Sequence, residues 1–325
     1  MSVNKKVLCL RVQGFYVLSC ILLLAFSLQV LFLKFSWALG TGTTGSQFLK
    51  LGVGSRPAGM GEAFVAVADD LNALYWNPAG LGNVEGRQAS LIHTEWFQCI
   101  RYEYIGYCQP LAGGVIGAGA TFLWIDGIER RGYIDYSGAT LEGYVPARDL
   151  SVSVAYGKGL SERLNAGLSL KGIYRQLDNY TAGGAAIDIG LLYKPSPGAF
   201  TLGLAIQNIG AQGAFINEPD PLPLNLKAGI ANKSIDGNFT FAADLNYGLV
   251  DNVWSAGAGI EWWIHPAFSI RSGYRFNSSS TSSLGFLSGL SCGAGFKLNI
   301  LNIDYAFVPY GDLGYTHRVS LLLKF

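Results

Sequence analysis

Residues 164–176 read Leu164-Asn165-Ala166-Gly167-Leu168-Ser169-Leu170-Lys171-Gly172-Ile173-Tyr174-Arg175-Gln176. Leu164, Ala166, Leu168, Leu170 and Tyr174 alternate with Asn165, Ser169, Lys171 and Arg175. A period of two puts the two sets on opposite faces of a strand. The pattern recurs outward from this stretch. Leu150, Val152, Val154 and Tyr156 alternate with Ser151, Ser153 and Ala155, and Phe239, Phe241, Leu245 and Tyr247 oppose Thr240, Asp244 and Asn246. Strands are read near 87–94, 100–109, 114–125, 148–157, 164–176, 183–193, 199–208, 222–232, 238–247, 253–263, 267–276, 283–297, 300–307 and 315–325.

Composition selects among sheet classes. Half of the 325 residues are apolar and only 14% are charged, which is greasy for a soluble protein. Yet no uninterrupted apolar run of about 20 residues follows residue 38, which excludes a bundle of membrane helices. Forty-three glycines and 13% aromatic residues fit neither a helical fold nor disorder. Apolar residues spread over alternate positions are what a membrane barrel requires. The expectation is an all-β transmembrane fold: an antiparallel outer-membrane β-barrel of about fourteen strands with a short, partly helical N-terminal plug.

The links support that count. An even number of strands brings both chain ends to the periplasmic side. The long links near 126–147 and 209–221 then fall outside the cell, and the short turns near 110–113, 194–198, 264–266 and 298–299 fall inside. At the C-terminus, Val319, Leu321, Leu323 and Phe325 alternate with Arg318, Ser320 and Lys324. A terminal aromatic residue in that setting resembles the signal read by the outer-membrane assembly machinery.

The chain divides into three parts. Residues 1–38 read as a signal peptide: Lys5, Lys6 and Arg11 precede an apolar run from Tyr16 to Leu33, then Ser36-Trp37-Ala38. Residues 39–86 form the plug, and 87–325 the barrel. The first part holds four basic and no acidic residues, so without it the net charge is −3 rather than +1. No basic stripe for nucleic acid exists. Cys99, Cys108 and Cys292 form no disulfide framework, although Cys99 and Cys108 could pair in an oxidising compartment.

In lipid the outer face must be apolar, whereas the inner face can carry charge. The inward set is expected to include Asp149, Lys171, Arg175, Asp188, Lys227, Asp244, Glu261, Arg271, Arg275, Asp304 and Arg318, pairing with one another across the lumen. Gly117, Gly119, Gly257 and Gly259 would let a plug backbone approach the wall. Trp254, Trp262 and Trp263 suit an interfacial girdle.

Residues 39–86 do not alternate. Asp69 or Asp70 could cap a short helix carrying Leu71 and Leu74. Asn77 before Pro78 reads as a cap followed by proline at the first helical position. So compact and apolar a stretch needs something to pack on, and the lumen supplies it. Phe48-Leu49-Lys50-Leu51-Gly52, Arg56, Gly59-Met60-Gly61 and Asn77-Pro78-Ala79-Gly80-Leu81 together resemble the N-terminal signature of the PorV/PorQ family, itself similar to the wider FadL-like group. The resemblance implies a fourteen-stranded barrel whose plug closes the lumen while apolar compounds pass sideways through the wall. For PorV-like members it implies work with type IX secretion machinery and binding of secreted proteins.

Chemistry adds little. Gly40-Thr41-Gly42-Thr43-Thr44-Gly45 matches a dinucleotide fingerprint literally, but no strand precedes it. His93, His265 and His317 lack metal spacing. His93 with a nearby serine is the one hint of hydrolase chemistry, and no nucleophile motif accompanies it. The chain reads as non-enzymatic, with no cofactor and no metal. It is expected in the bacterial outer membrane, in contact with lipid, handling hydrophobic small molecules passively. The plug hinge would comprise Arg56, Gly59, Met60, Asn77, Pro78 and Ala79. The alternative is a secretion component that binds secreted proteins or secretion subunits through the link near 126–147.

Overall fold

The alternation that runs along the chain becomes a closed wall. The computed structural model describes residues 42–325 apart from 97–98, 133–139, 197–199 and 279–285. The signal peptide read over 1–38 lies outside the described residues. The strands are β1 (Gln88–Glu95), β2 (Ile100–Leu111), β3 (Gly114–Ile125), β4 (Glu129–Arg131), β5 (Leu141–Tyr144), β6 (Ala147–Gly159), β7 (Leu164–Leu177) and β8 (Tyr180–Tyr193). They continue as β9 (Thr201–Gln212), β10 (Asn225–Lys233), β11 (Phe239–Gly248), β12 (Val253–His265), β13 (Phe268–Asn277), β14 (Leu290–Leu298), β15 (Leu301–Pro309) and β16 (Tyr315–Lys324). Fourteen of them form one antiparallel barrel in chain order, and β4–β5 make a separate hairpin. Closure pairs β1 with β16 from Gln88↔Lys324 to Glu95↔His317. No wall strand is left with an open edge, as a lipid environment demands.

Side-chain facing follows the parity read from sequence. On β7, Leu168 and Leu170 are 47% and 55% exposed, whereas Ser169 and Lys171 between them are 0% and 8% exposed. Leu91, Ile105, Val152, Leu204, Phe241 and Ile260 face outward in the same way. Trp254 and Trp262 also face outward, at the two ends of β12. Their separation is about 26 Å along the strand, close to the ~25 Å height of a membrane barrel's apolar band. Trp263 departs from the girdle expectation. It has the opposite parity, and the β12–β13 register shifts between Trp263 and His265, so it sits at the inner rim.

The end of the barrel where β1 starts and β16 stops is here the near end; the other is the far end. Near-end turns at 112–113, 266–267 and 299–300 are tight, and the long links 126–146, 213–224 and 278–289 lie at the far end. Not every far-end link is long: 249–252 has four residues. Residues 178–179 join β7 and β8 directly, with Asp178 at φ 55°, a left-handed conformation that Asp tolerates. The 126–146 link was read as a plain loop and instead carries the β4–β5 hairpin. β14 was read from 283 but begins at Leu290, after a 3-10 turn at Phe286–Gly289. The suggested Cys99–Cys108 bond is absent: both thiols are free, because Cys99 precedes β2 at the far end whereas Cys108 is buried toward the near end.

The outward face sets a stability test. Leu170→Arg places a cation on the lipid face near mid-strand and should cost about 2–4 kcal/mol on refolding into phospholipid bilayers. Refolding titrations of both proteins, read by gel mobility, measure this. An unchanged midpoint would contradict the assignment of that face to lipid.

Candidate functional site

The lumen is occupied by the segment that precedes β1. Its first ordered contacts are at the far end: Gly45 N donates to Pro221 O (3.0 Å), and Thr44 Oγ1 donates to Asp251 Oδ1 (3.0 Å). Its last are at the near end, where Arg87 N donates to Phe325 O (2.9 Å). Between them the chain forms a 3-10 turn Gln47–Lys50, one-turn helices Ser55–Gly59 and Ala73–Trp76, and a 3-10 turn Pro78–Asn83. Val53, Met60, Phe64, Leu71, Leu74 and Leu81 are fully buried, so the apolar content that sequence could not place packs inside the wall.

Two of the resemblance motifs dock where the wall has no side chains. At the first, Met60 and Gly61 lie on Gly259 and Gly273, which face each other across β12 and β13. A Cβ on either wall glycine would overlap the plug backbone. At the second, Asn77 and Pro78 lie on Gly167 and Gly190, a facing pair on β7 and β8, where an added Cβ would overlap them too. Asn77 is wholly buried and fully used. Its Oδ1 accepts from Ala79 N (3.1 Å), while its Nδ2 donates to Val65 O (2.9 Å) and Leu191 O (3.1 Å). It is thus the cap that sequence suggested, and it also ties plug to wall. Of the four glycines named from sequence, Gly257 meets Gly61 and Gly259 meets Met60. Gly117 meets the Leu74 side chain, but Gly119 meets Tyr104, a wall residue, and so makes no plug contact of the kind expected.

Arg56 fastens the plug electrostatically. Its Nε and Nη2 donate to the two Glu261 oxygens (2.9 and 2.8 Å), and its Nη1 donates to Asp70 Oδ2 (2.8 Å) and to Asp69. Burial works against the cation, but Asp69, Glu261 and Asp70 outweigh it and hold the guanidinium pKa well above its ordinary value. The cluster continues through the wall: Arg271 donates to Glu261 Oε1 (2.7 Å) and to Asp304 Oδ1 (2.6 Å). Gly295 on β14 leaves the room that lets Arg271 on β13 reach Asp304 on β15. Asp70 also accepts from Asn72 N (2.9 Å), so it stabilises a turn rather than capping the helix, whose cap residue is Asn72.

The inward charges are all on the inner face, but they do not pair across the lumen as expected. The plug is in the way. Arg175 pairs with Asp149 (3.0 Å) and Lys171 with Asp188 (2.6 Å), both between adjacent strands. Arg275 pairs with Glu62, and Lys50 with Asp251, from wall to plug. Asp244 accepts from the plug amides of Phe64 (2.6 Å) and Val65 (2.7 Å). Arg318 donates to Gly52 O (3.0 Å). Lys227 lies over the Trp76 ring at 4.5 Å. Of the plug-side partners Lys50, Glu62 and Trp76, only Lys50 stands in a motif of the resemblance, and none had a role legible from sequence, because those roles depend on where the segment folds back. His93 does not face a serine: it lies on the outer face and contacts Glu103 (2.6 Å) and Glu95 (3.5 Å).

Comparison of the whole fold places it among known barrels. The Pseudomonas putida toluene transporter TodX superposes with a TM-score of 0.59 at 13% identity, over 87% of this chain and 97% of that one. A TodX deltaS2S3 mutant monoaromatic hydrocarbon channel gives 0.64 at 13% identity, over 84% and 99%. A Pseudomonas aeruginosa FadL homologue gives 0.53 at 12% identity, over 82% and 98%. No protein-family model and no curated protein sequence matches the chain. The fold is the one shared with these channels, a closed fourteen-stranded antiparallel β-barrel.

Both anchors can be tested. Gly190→Ala should displace Asn77 and lower the thermal midpoint of the detergent-solubilised protein, whereas Gly172→Ala, with nothing within 4 Å of the new methyl, should not. Arg56→Met leaves Asp70 buried without a cation and Glu261 with Arg271 alone, and should cost about 3–5 kcal/mol. Equal midpoints for Gly190→Ala and Gly172→Ala would refute the seat.

Proposed function

We propose that this protein lets small hydrophobic molecules cross the bacterial outer membrane passively, by a lateral route through the barrel wall. A wall cleft carries the reading. It has a volume of about 340 Å³ and is lined on the outer face by Leu91, Ile105, Phe122, Val319 and Leu321. Ile92 and Tyr104, which belong to the inward parity of β1 and β2, also line it. Tyr104 lines a small inner cavity of about 20 Å³ as well, beside Phe48, Leu49, Leu74 and Tyr75. Thr121, Ser151, Ser153 and Lys171 also line it, so one residue borders both the lipid-side cleft and the interior.

The wall is thin at that point. Gly106 and Gly119 face each other across β2 and β3, and a Cβ on either would stand 2.7 Å from the Tyr104 hydroxyl. That hydroxyl is buried with no hydrogen-bond partner among the described residues. The ring is held by packing alone, so displacing it forfeits no polar contact. The likeness to the toluene transporter and the hydrocarbon channel supports an apolar cargo. In this reading Arg56, Gly59, Met60 and Asn77-Pro78-Ala79 hold the plug at its two seats and form the points about which it would flex.

Cells carrying the protein in an intact outer membrane should take up the apolar dye N-phenylnaphthylamine faster than cells without it, while vancomycin stays excluded. Tyr104→Ala should raise the rate severalfold and Tyr104→Trp should lower it. Dye uptake independent of the protein, or of residue 104, would sink the lateral route.

The motif resemblance to PorV/PorQ proteins carries a second reading, the binding of secreted proteins. The β4–β5 hairpin favours it, with Leu141 and Tyr144 52% and 63% exposed at the far end. Secreted proteins should then co-purify with the intact barrel and be lost on Leu141→Asp. A barrel that purifies alone counts against it.

A further inference from the structure

The far half of the lumen contains a second kind of space. A cavity of about 230 Å³ lies between the plug and β10–β13, beside the 249–252 link. Its wall is polar and built in register. Lys227, Asn246 and Ser255 are direct cross-strand neighbours on β10, β11 and β12, and Asn225 stands two residues from Lys227 on the same face. All four line the cavity.

The polar groups here are not all spoken for. Three cations line the space, namely Lys50, Lys227 and Arg275. Lys50 is paired with Asp251, and Arg275 with Glu62. Lys227 is 5% exposed and forms no ion pair within 4.0 Å among the described residues. It rests instead on Trp76 (4.5 Å) and Tyr75 (5.2 Å), which fix it as a cation without neutralising it. Asp244 lines the cavity too: its Oδ2 accepts from two plug amides, and its Oδ1 is buried and unpartnered. Asn225, 8% exposed, has its Oδ1 buried and unpartnered. Asn246 donates to Ser255 Oγ (3.3 Å) but its own Oδ1 is likewise buried and unpartnered.

We infer that this cavity binds a small polyhydroxylated carboxylate, with its carboxylate on Lys227 and its hydroxyls donating to Asn225 and Asn246. The pieces demand this combination. An unpaired ammonium calls for an anion. Two orphaned carboxamide oxygens call for donors. A hydrocarbon would satisfy none of the three, so the site is separate from the lateral route and does not rest on it. Size limits the ligand. In proportion to the roughly 150 Å³ cavity that holds benzene, this one takes about nine heavy atoms, the size of a four-carbon sugar acid.

The full chain in a non-sugar detergent is titrated calorimetrically with L-threonate, butyrate and threitol. Threonate should bind at least about tenfold more tightly than butyrate, which lacks hydroxyls, or threitol, which lacks the carboxylate. Lys227→Met should weaken threonate about tenfold or more. Asn225→Asp, of equal size, should do the same by placing an anion beside the ligand. Gel mobility reports whether each variant is folded, and if Lys227→Met is not, Asn225→Asp decides. Equal binding of all three probes, no threonate binding at tens of millimolar, or wild-type affinity in the folded variants overturns the proposal. None of these outcomes bears on dye uptake through the wall at Tyr104.

Discussion

Arg56 is the interaction on which the arrangement of plug and wall depends. It joins a turn of the plug to Glu261 on β12, and through Glu261 to Arg271 and Asp304 on β13 and β15. A guanidinium can make such a junction because its donors form a planar fork that meets one carboxylate with two bonds and another with a third. A lysine would supply the charge without the geometry. The cluster matters because the lumen is a poor solvent for isolated charge. Each carboxylate there needs partners in place, a cation for Glu261 and plug amides for Asp244, so the plug is part of what makes the inner wall stable.

Shape completes what charge begins. Two facing pairs of wall glycines, Gly259 with Gly273 and Gly167 with Gly190, let plug backbone lie directly on strand backbone. Both seats follow Arg56 in sequence, at Met60-Gly61 and Asn77-Pro78, on either side of its plug partners Asp69 and Asp70. The plug's internal backbone hydrogen bonds close only single turns, so the segment would be marginal alone. Held at two seats and one ionic junction, it becomes the core of the barrel. The large number of glycines in the sequence thus has a local explanation at these positions: the wall is notched where the plug touches it.

The legibility of this protein from sequence follows the range of the interactions involved. Strand parity is a local property with a period of two, so all fourteen wall strands and the facing of residues such as Lys171, Asp244 and Glu261 could be read directly. Pairing was not legible. Whether Lys171 meets Asp188 on the next strand or a residue across the lumen depends on register and on what fills the lumen, neither of which is local. Trp263 departs because it follows outward-facing Trp262 directly, so alternation itself turns it inward, and Gly119 because its neighbour is a wall tyrosine rather than the plug. The candidate site was legible as a motif, through Asn77-Pro78-Ala79 and Arg56. Its partners Gly190, Leu191 and Glu261 lie more than a hundred residues away.

The same energetics separate the two routes an apolar molecule could take. A path down the lumen requires moving the plug, which would strip Glu261 of Arg56 and break the hydrogen bond from Asn77 to Leu191. Breaking one buried ion pair alone costs about 3–5 kcal/mol, and each buried polar group left unpaired adds about 1–3 kcal/mol. The path through the wall at Tyr104 displaces an aromatic ring whose hydroxyl has no partner to lose. Its cost is packing, which an apolar ligand replaces as it enters. On the lateral route proposed here, the polar interior can stay closed, with the Lys227 cavity intact within it, while apolar molecules would exchange at one thin place in the wall.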